Sequence, residues 1–347
     1  MDTPEFKLTQ IALQLLAGID EFKGRWQALT SLAPEWLTAL RRVATVESIA
    51  SSTRIEGVKL SDREVEELLS GLRINSLRSR DEEEVAGYAD CMELVFQSYG
   101  EIPFDENHIK QLHQVLLKYS SKDSRHRGEY KKLNNHVEAF DQTGKSAGII
   151  FETASPFDTP RKMAELTEWF SAEWRDKTTH PLLLIAVFTV HFLAIHPFQD
   201  GNGRLSRILT TLLLLKAGYG YVPYSSLERV IEENKEQYYL TLRRTQKTIY
   251  SDNSTLMEWT LFFLRSLSRQ IAALEKKLEG ESRITRLAPL SQTLLLAVRN
   301  RGALTVRDAE RLTGANRNTI KQHLRQLVQK GVLRREGVGK GSWYRPA

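Results

Sequence analysis

Apolar residues along this chain recur mostly at helical spacing, and strict alternation is nearly absent. In "APEWLTALRRVATVESIA" (33–50), Trp36, Leu37, Leu40, Val43, Ala44 and Ile49 fall on one helix face, with Pro34 in the first turn. "SDREVEELLSG" (61–71) follows, Ser61 and Glu64 spaced as a capping box and Gly71 as a stop. Further helices are predicted near 81–98, 105–120, 160–175, 181–195, 204–217, 232–249 and 254–279. Two stretches are apolar almost throughout, "PLLLIAVFTVHFLAI" (181–195) and "ILTTLLLLKAG" (208–218), and both read as buried core helices. The first is too short to span a membrane and is interrupted by His191, which reads as a buried, hydrogen-bonded histidine. The segment 128–156 differs: Asn, Gly and Asp turn signals separate the β-prone pieces "HVEAF" and "GIIF", which predicts a β-hairpin in an otherwise helical body. The charged break "EKKLEGESR" (275–283), with Gly280, predicts a domain boundary.

Charge sharpens that division. The 347-residue chain carries a net +6, yet residues 281–347 hold 14 Lys+Arg against 4 Asp+Glu, so the remainder is mildly acidic. The expected organisation is an N-terminal helical region (1–120), a core (121–275) and a basic C-terminal domain (285–347). A single cysteine, Cys91, excludes an intrachain disulfide and suits a reducing compartment. The polar start "MDTPEFKLTQ" is unlike a signal peptide, so a cytoplasmic protein without a membrane partner is expected.

Between the two apolar runs lies "HPFQDGNGRLSR" (196–207). "DGNG" supplies a tight turn with two positions free to take positive φ. A turn of this kind entering a helix aims several backbone N–H groups at one spot and makes an anion cradle. Arg204 and Arg207, three apart, are expected to reach the same anion, and a guanidinium fork suits phosphate. Asp200 is placed to hold a hard cation such as Mg²⁺, and His196 to take a proton from an attacking hydroxyl. Phe198 reads as the loop's anchor in the core. The combination suggests phosphoryl or nucleotidyl transfer. A P-loop signature is absent, and the missing strand excludes a Rossmann fingerprint.

The same twelve residues match the signature H-x-F-x-[DE]-G-N-G-R-x-x-R in full, so the chain resembles the Fic family. That resemblance implies an all-α Fic core with a β-hairpin flap, and an enzyme that moves AMP from ATP to a hydroxyl of a target protein. It makes His196 the general base and Asp200 the Mg²⁺ ligand. Gly201, Asn202 and Gly203 become the phosphate hole, with Arg204 and Arg207 on the phosphates. Flap residues Ile150, Phe151, Glu152 and Thr153 would border the nucleotide, although "NNHVEAFDQTGKS" makes this flap long. In "KEQYYLTLRRTQ" (235–246), Tyr238 and Tyr239 resemble the family's nucleoside-contact pair, and Gln246 stands where some members carry Asn. An equal alternative is that the two tyrosines are core residues.

"SSTRIEG" (51–57) resembles the family's inhibitory segment through Ser52, Glu56 and Gly57. By itself the pattern is also a plain helix end. If Glu56 occupies Arg207, ATP is left misaligned for attack, and the restraint acts within the chain. The tail "TVRDAERLTGANRNTIKQHLRQLVQKG", followed by "GVLRREGVGKGSWYR", resembles a winged helix-turn-helix. There Arg317, Asn318, Lys321 and Arg325 are candidates to face DNA, and Arg334, Arg335 and Lys340 to meet phosphates. A protein-interaction module with a solvated basic face is the alternative. The reading favoured is a Mg²⁺- and ATP-dependent protein adenylyltransferase acting on Ser, Thr or Tyr hydroxyls, its own included. A DNA-binding regulator whose Fic domain senses nucleotide stays open. So do transfer of another group, removal of AMP, and a homodimer.

Overall fold

The computed structural model describes residues 8–29, 34–71, 77, 79–135, 137–140, 146–249, 251, 254–285, 289–337 and 342–346. The chain divides into two compact units, Met1–Ala273 and Leu274–Ala347.

The first unit is helical apart from one hairpin. Its helices are α1 (Gln10–Leu29), α2 (Pro34–Ile55), α3 (Asp62–Ser70), α4 (Arg80–Ser98), α5 (Glu106–Leu116), α6 (Thr159–Asp176), α7 (Pro181–Ile195), α8 (Asn202–Lys216), α9 (Leu227–Glu233), α10 (Lys235–Thr248) and α11 (Leu256–Thr285), the last running across the division. Every residue of Leu182–Ile195 is buried, as its uninterrupted apolarity requires, and α8 is buried almost as completely. Phe170, Phe188, Phe192, Leu212 and Trp259 fill this core. The capping box at Ser61 forms as its spacing predicts, Glu64 accepting from the Ser61 amide at 2.8 Å.

Three differences from the sequence reading have plain causes. α1 was not predicted, yet Ala12, Leu16, Ile19, Phe22 and Trp26 make a buried stripe along it. The segment read as one helix at 232–249 is two, parted at Asn234, with α9 begun by the Ser226 cap. The helix expected to stop at 279 continues through Gly280 to Thr285, since one glycine costs a helix only about 1 kcal/mol.

The hairpin pairs β1 (Val137–Phe140) with β2 (Ser146–Phe151) antiparallel, with register shifts after Val137 and after Ala139. Residues 141–145 lie outside the described set. Just upstream, Tyr130 forms an isolated antiparallel bridge with Phe198 and so ties the approach to the hairpin to the 196–207 loop.

The second unit runs α12 (Pro289–Arg301), β3 (Leu304–Thr305), α13 (Val306–Thr313), α14 (Arg317–Gln329), β4 (Leu333–Glu336) and β5 (Trp343–Pro346), with sheet order β3-β5-β4. Its core includes Leu294, Val298, Ile320, Leu324, Leu327 and Tyr344. Gly314 (φ 66°) ends α13, and the Asn316 side chain caps α14 by accepting from the Asn318 amide at 2.9 Å. Arg317, Asn318 and Arg325 of α14 are exposed, Lys321 is half-buried, and Arg334 and Arg335 of β4 are exposed. Lys340 lies outside the described residues.

In the first unit α4 and α5 pack closely because position 87 has no side chain: a Cβ on Gly87 would run into the Leu116 carbonyl. Gly87→Ala should therefore destabilise the protein by about 1–3 kcal/mol despite alanine's higher helix propensity. Thermal unfolding of the full chain checks this.

Candidate functional site

α7 ends at His196, which takes a left-handed backbone (φ 53°) while its amide still donates to the Phe192 carbonyl at 2.9 Å. A left-handed residue other than glycine costs about 1–2 kcal/mol and persists only where its surroundings enforce it. They do so here. Phe198 is fully buried and stacks on the His113 ring at 3.8 Å between centroids. Asn202 closes the loop on itself: Oδ1 accepts from the Phe198 amide at 2.9 Å, and Nδ2 donates to the Phe198 carbonyl at 2.7 Å. Asn135 Nδ2 donates to the His196 and Phe198 carbonyls at 3.3 and 2.6 Å.

Two buried groups hold the loop from outside. The Gly128 amide donates to His113 Nδ1 at 2.9 Å, so the proton sits on Nε2, which donates to the Asp200 carbonyl at 3.0 Å. Lys131 donates from Nζ to Asn135 Oδ1 (2.8 Å), Thr153 Oγ1 (2.9 Å) and the Ile195 carbonyl (3.1 Å). One ammonium thus joins the two ends of the hairpin segment to the residue before His196. Burial lowers the Lys131 pKa to about 8.

The His196 ring is half-buried and Nδ1 faces the Leu193 carbonyl at 3.4 Å, which leaves the Nε2 lone pair free. Loss of hydration, with the Lys131 charge, brings its pKa to about 4, so at neutral pH the imidazole is an unprotonated base. Burial alone would raise the Asp200 carboxyl. The Arg204 charge, the Gly201 amide and Arg80 outweigh that and hold it below the usual range. Oδ1 accepts from the Gly201 amide at 2.5 Å and faces Arg204 Nη2 at 3.2 Å, while Oδ2 accepts from Arg80 Nη2 at 2.9 Å.

The two motif arginines do not share one anion, contrary to the expectation from their spacing. Arg204 turns to Glu84 (2.8 Å) and Asp200, and Arg207 to α2. Glu84 on α4 and Asp200 one turn back draw Arg204 to one side of α8. Arg207 donates through Nε to Ser52 Oγ at 2.8 Å, and through Nη2 to the Ser52 carbonyl at 3.0 Å and to Glu56 Oε1 at 2.7 Å. Its guanidinium is nearly buried; burial would lower its pKa, but the Glu56 charge and hydrogen bond, together with Tyr238 and Tyr88, outweigh that and raise it. The Glu56 carboxylate also lies against the backbone at Gly203, where a Cβ would collide with it. It therefore occupies the N-terminal end of α8, where orphan amides and the helix dipole favour an anion. Gly57, with φ 106°, turns the chain away directly afterwards.

The remaining candidates are placed as follows. Tyr238 is buried, its ring centroid 5.8 Å from Trp259 and 5.9 Å from Phe262. Tyr239 is half-buried and donates to the Ile55 carbonyl at 3.3 Å. Gln246 and His191 are buried, and burial lowers the His191 pKa to about 4. Ile150 sits between the paired positions Ile149 and Phe151 on β2, in a bulge. Phe151 is half-buried, Glu152 exposed, and Thr153 buried at Lys131.

Residues 103–214, which contain the hairpin and the whole loop, match the family model "Fic/DOC family". The chain carries a Fic domain. Curated relatives named "Protein adenylyltransferase Fic" include those of Drosophila yakuba, 29% identical over 59% of this chain and 39% of that protein, and of Drosophila grimshawi, 26% identical over 66% and 43%. The chain thus spans less than half the length of these relatives. Among solved structures, a Fic family protein from Desulfovibrio desulfuricans G20 aligns over 100% of this chain and 98% of its own (TM-score 0.63, 22% identity). A Fic domain containing signaling protein from Bacteroides thetaiotaomicron VPI-5482 aligns over 74% and 97% (TM-score 0.58, 26% identity).

Several residues that shape this Fic domain's site were not picked out from sequence: Arg80, Glu84, His113, Lys131 and Asn135. His113 carried a usable signal, since it shares the apolar face of α5 with Ile109, Leu112 and Leu116, where an imidazole needs buried partners.

His113, like His191 and His196, has its pKa lowered to about 4, burial being the main cause in each. A folded value below the unfolded one means that the unfolded chain binds more protons between about pH 6.5 and 4. The stabilisation is complete above pH 6.5 and is lost as pH falls toward 4. Each histidine should contribute a loss of about 2 kcal/mol between pH 7 and 5. Urea unfolding at the two pH values measures it, and His113→Asn should reduce the difference by about one histidine's share.

Proposed function

We propose that this chain is a protein adenylyltransferase that moves AMP from ATP to a Ser, Thr or Tyr hydroxyl of a target protein, and of itself, and that Glu56 restrains it. The observation that carries the reading is the Arg207–Glu56 pair at the head of α8, at 2.7 Å, in a loop that also presents an unprotonated His196. A carboxylate held where a helix N-terminus and an arginine converge marks a seat for a phosphate group. The names of the curated relatives support the reaction class.

In this reading the target hydroxyl attacks the α-phosphorus, the bond to the oxygen bridging to the β-phosphate breaks, and pyrophosphate leaves. His196 accepts the hydroxyl proton at Nε2, which its Nδ1 contact leaves free. Amides at the start of α8 and the Arg207 fork bind the phosphate chain. Among the described residues no three His, Cys, Asp or Glu side chains cluster as a metal site. The single ionised carboxylate of Asp200 fits Mg²⁺, which takes most of its ligands from phosphate and water. When bound, the ion supplies charge neutralisation on the phosphates. Glu56 and the terminal phosphate of ATP compete for Arg207, so while Glu56 holds it the triphosphate is misaligned, and about 1 Å of misplacement can cost ~10²-fold in rate.

Glu56→Gly should raise AMP transfer in the full chain, measured as label incorporated from α-³²P-ATP. Arg207→Ala should lower it, and the double variant should behave as Arg207→Ala. His196→Ala should reduce transfer ~10²–10⁴-fold with ATP binding retained. Flat or reduced transfer in a folded Glu56→Gly protein removes the restraint from the proposal, and wild-type transfer in His196→Ala removes the base.

For the second unit the reading is a winged helix-turn-helix that contacts DNA, supported by the turn at Gly314 and by exposed Arg317, Asn318 and Arg325 along α14. Arg317→Ala and Arg325→Ala should each weaken duplex DNA binding and lower the slope of log affinity against log salt by about 1. Salt-insensitive or absent binding favours a protein partner instead.

A further inference from the structure

Arg207 faces a carboxylate on its outer side, Glu56, and a second acid lies behind it. Glu228, on the first turn of α9, is 3% exposed. It accepts from the Tyr88 hydroxyl and the Ser226 hydroxyl, both at 3.3 Å, and Ser48 of α2 also bonds its carboxylate. No lysine or arginine pairs with it directly among the described contacts; burial raises its pKa, and the hydroxyl bonds and the Arg207 charge act against that rise. Arg207 and Glu228 both border one small cavity of about 20 Å³, lined for the rest mainly by apolar side chains such as Leu227, Ile231, Trp259 and Phe262. Arg207 Nη1 is buried and makes no bond within hydrogen-bond limits, although the Tyr238 hydroxyl is close by. The first unit thus places a buried guanidinium and a buried carboxylate on the walls of one small cavity. The mechanism above uses neither the cavity nor Glu228.

A buried guanidinium with a single anion cannot release it cheaply, because release leaves an uncompensated charge in a medium of low polarisability. A second acid at the back changes that balance. It stabilises Arg207 while the outer face is empty, and it weakens the hold on whatever anion is in front.

We propose that Glu228 is a positioning residue for Arg207, an inner counter-ion that acts across this small cavity and sets how tightly the arginine grips the anion on its outer face. The proposal rests on the reading that this outer face receives the ATP triphosphate. It also makes a claim independent of nucleotide, that Glu228 and Glu56 compete for one arginine.

Both claims are tested in the full chain with Glu228→Gln, which keeps the side chain's shape and an acceptor oxygen but removes the charge. In the Glu56→Gly background it should tighten ATP about three- to tenfold, the size expected of one charge acting through protein of effective dielectric about 20. AMP, which lacks the outer phosphates, should bind unchanged. A merely structural role would weaken both ligands together. Glu228→Asp keeps the charge but draws it back toward α9, so it should fall between the parent and Glu228→Gln, and it carries the test alone if the glutamine variant does not fold. Without nucleotide, the loss of melting temperature caused by Glu56→Gln should be larger when residue 228 is glutamine than when it is glutamate. An unchanged ATP-to-AMP affinity ratio, or equal melting losses in the two backgrounds, overturns the proposal. If the unfolding coupling is present but neither nucleotide binds, the inner counter-ion stands and the adenylyltransferase reading fails.

Discussion

A guanidinium inside a helical core obliges everything around it to offer oxygen, and Arg207 organises the first unit in that way. It is about 5% exposed, and its partners come from widely separated parts of the chain. Ser52 and Glu56 arrive from the end of α2, Tyr238 flanks it from α10, and Glu228 stands behind it on α9. The same demand explains how α2 is seated. Arg54, one turn from Ser51, bonds Glu232 of α9 at 2.6 Å and pairs with Asp62 at 2.8 Å, so the helix bearing Ser52 is pinned by a second set of charges. Removing the arginine would leave these oxygens facing one another without a donor.

The loop beside it is rigid for a different reason. The loop's own Asn202 and Asp200 meet its Phe198 and Gly201 amides, and the rest of its hold comes through its carbonyls. Asn135, Lys131 and His113 supply donors to the carbonyls of Ile195, His196, Phe198 and Asp200. None of these three belongs to the twelve-residue stretch. They hold it in shape through its carbonyls and make no claim on the amides at the head of α8.

This division also explains what could be read from sequence. The helices α7 and α8 and the turn between them were legible, because an unbroken apolar run and a Gly-Asn-Gly turn leave few alternatives. The hairpin was legible from its turn residues, with strands shorter than the segment that carried them. α1 was missed because exposed apolar residues such as Ile11 and Leu13 stand beside its five buried ones and blur the helical period. Arg80, Glu84 and Lys131 were not legible at all. Their positions look like ordinary charged surface, and only the folded chain shows that two of them meet Asp200 or Arg204 and that the third is buried. The spacing of Arg204 and Arg207 misled for the same reason. Three residues apart on a helix allows a shared partner, but acids on other elements decide which way each side chain turns.

Ser52 and Glu56 hold Arg207 in unlike ways. Ser52 is wholly inaccessible and fixed on α2, whereas the Glu56 side chain lies beyond the last residue of that helix and is 31% exposed, followed at once by a left-handed glycine. Release of the carboxylate therefore needs torsional change in one side chain and a hinge-like residue, with α2 still clamped to α9. Such motions belong to the fast end of the protein timescale, far quicker than domain rearrangement. On the proposed reading, a restraint built this way would re-engage within the interval between one ligand leaving and the next arriving, and the chain would keep no memory of having been released.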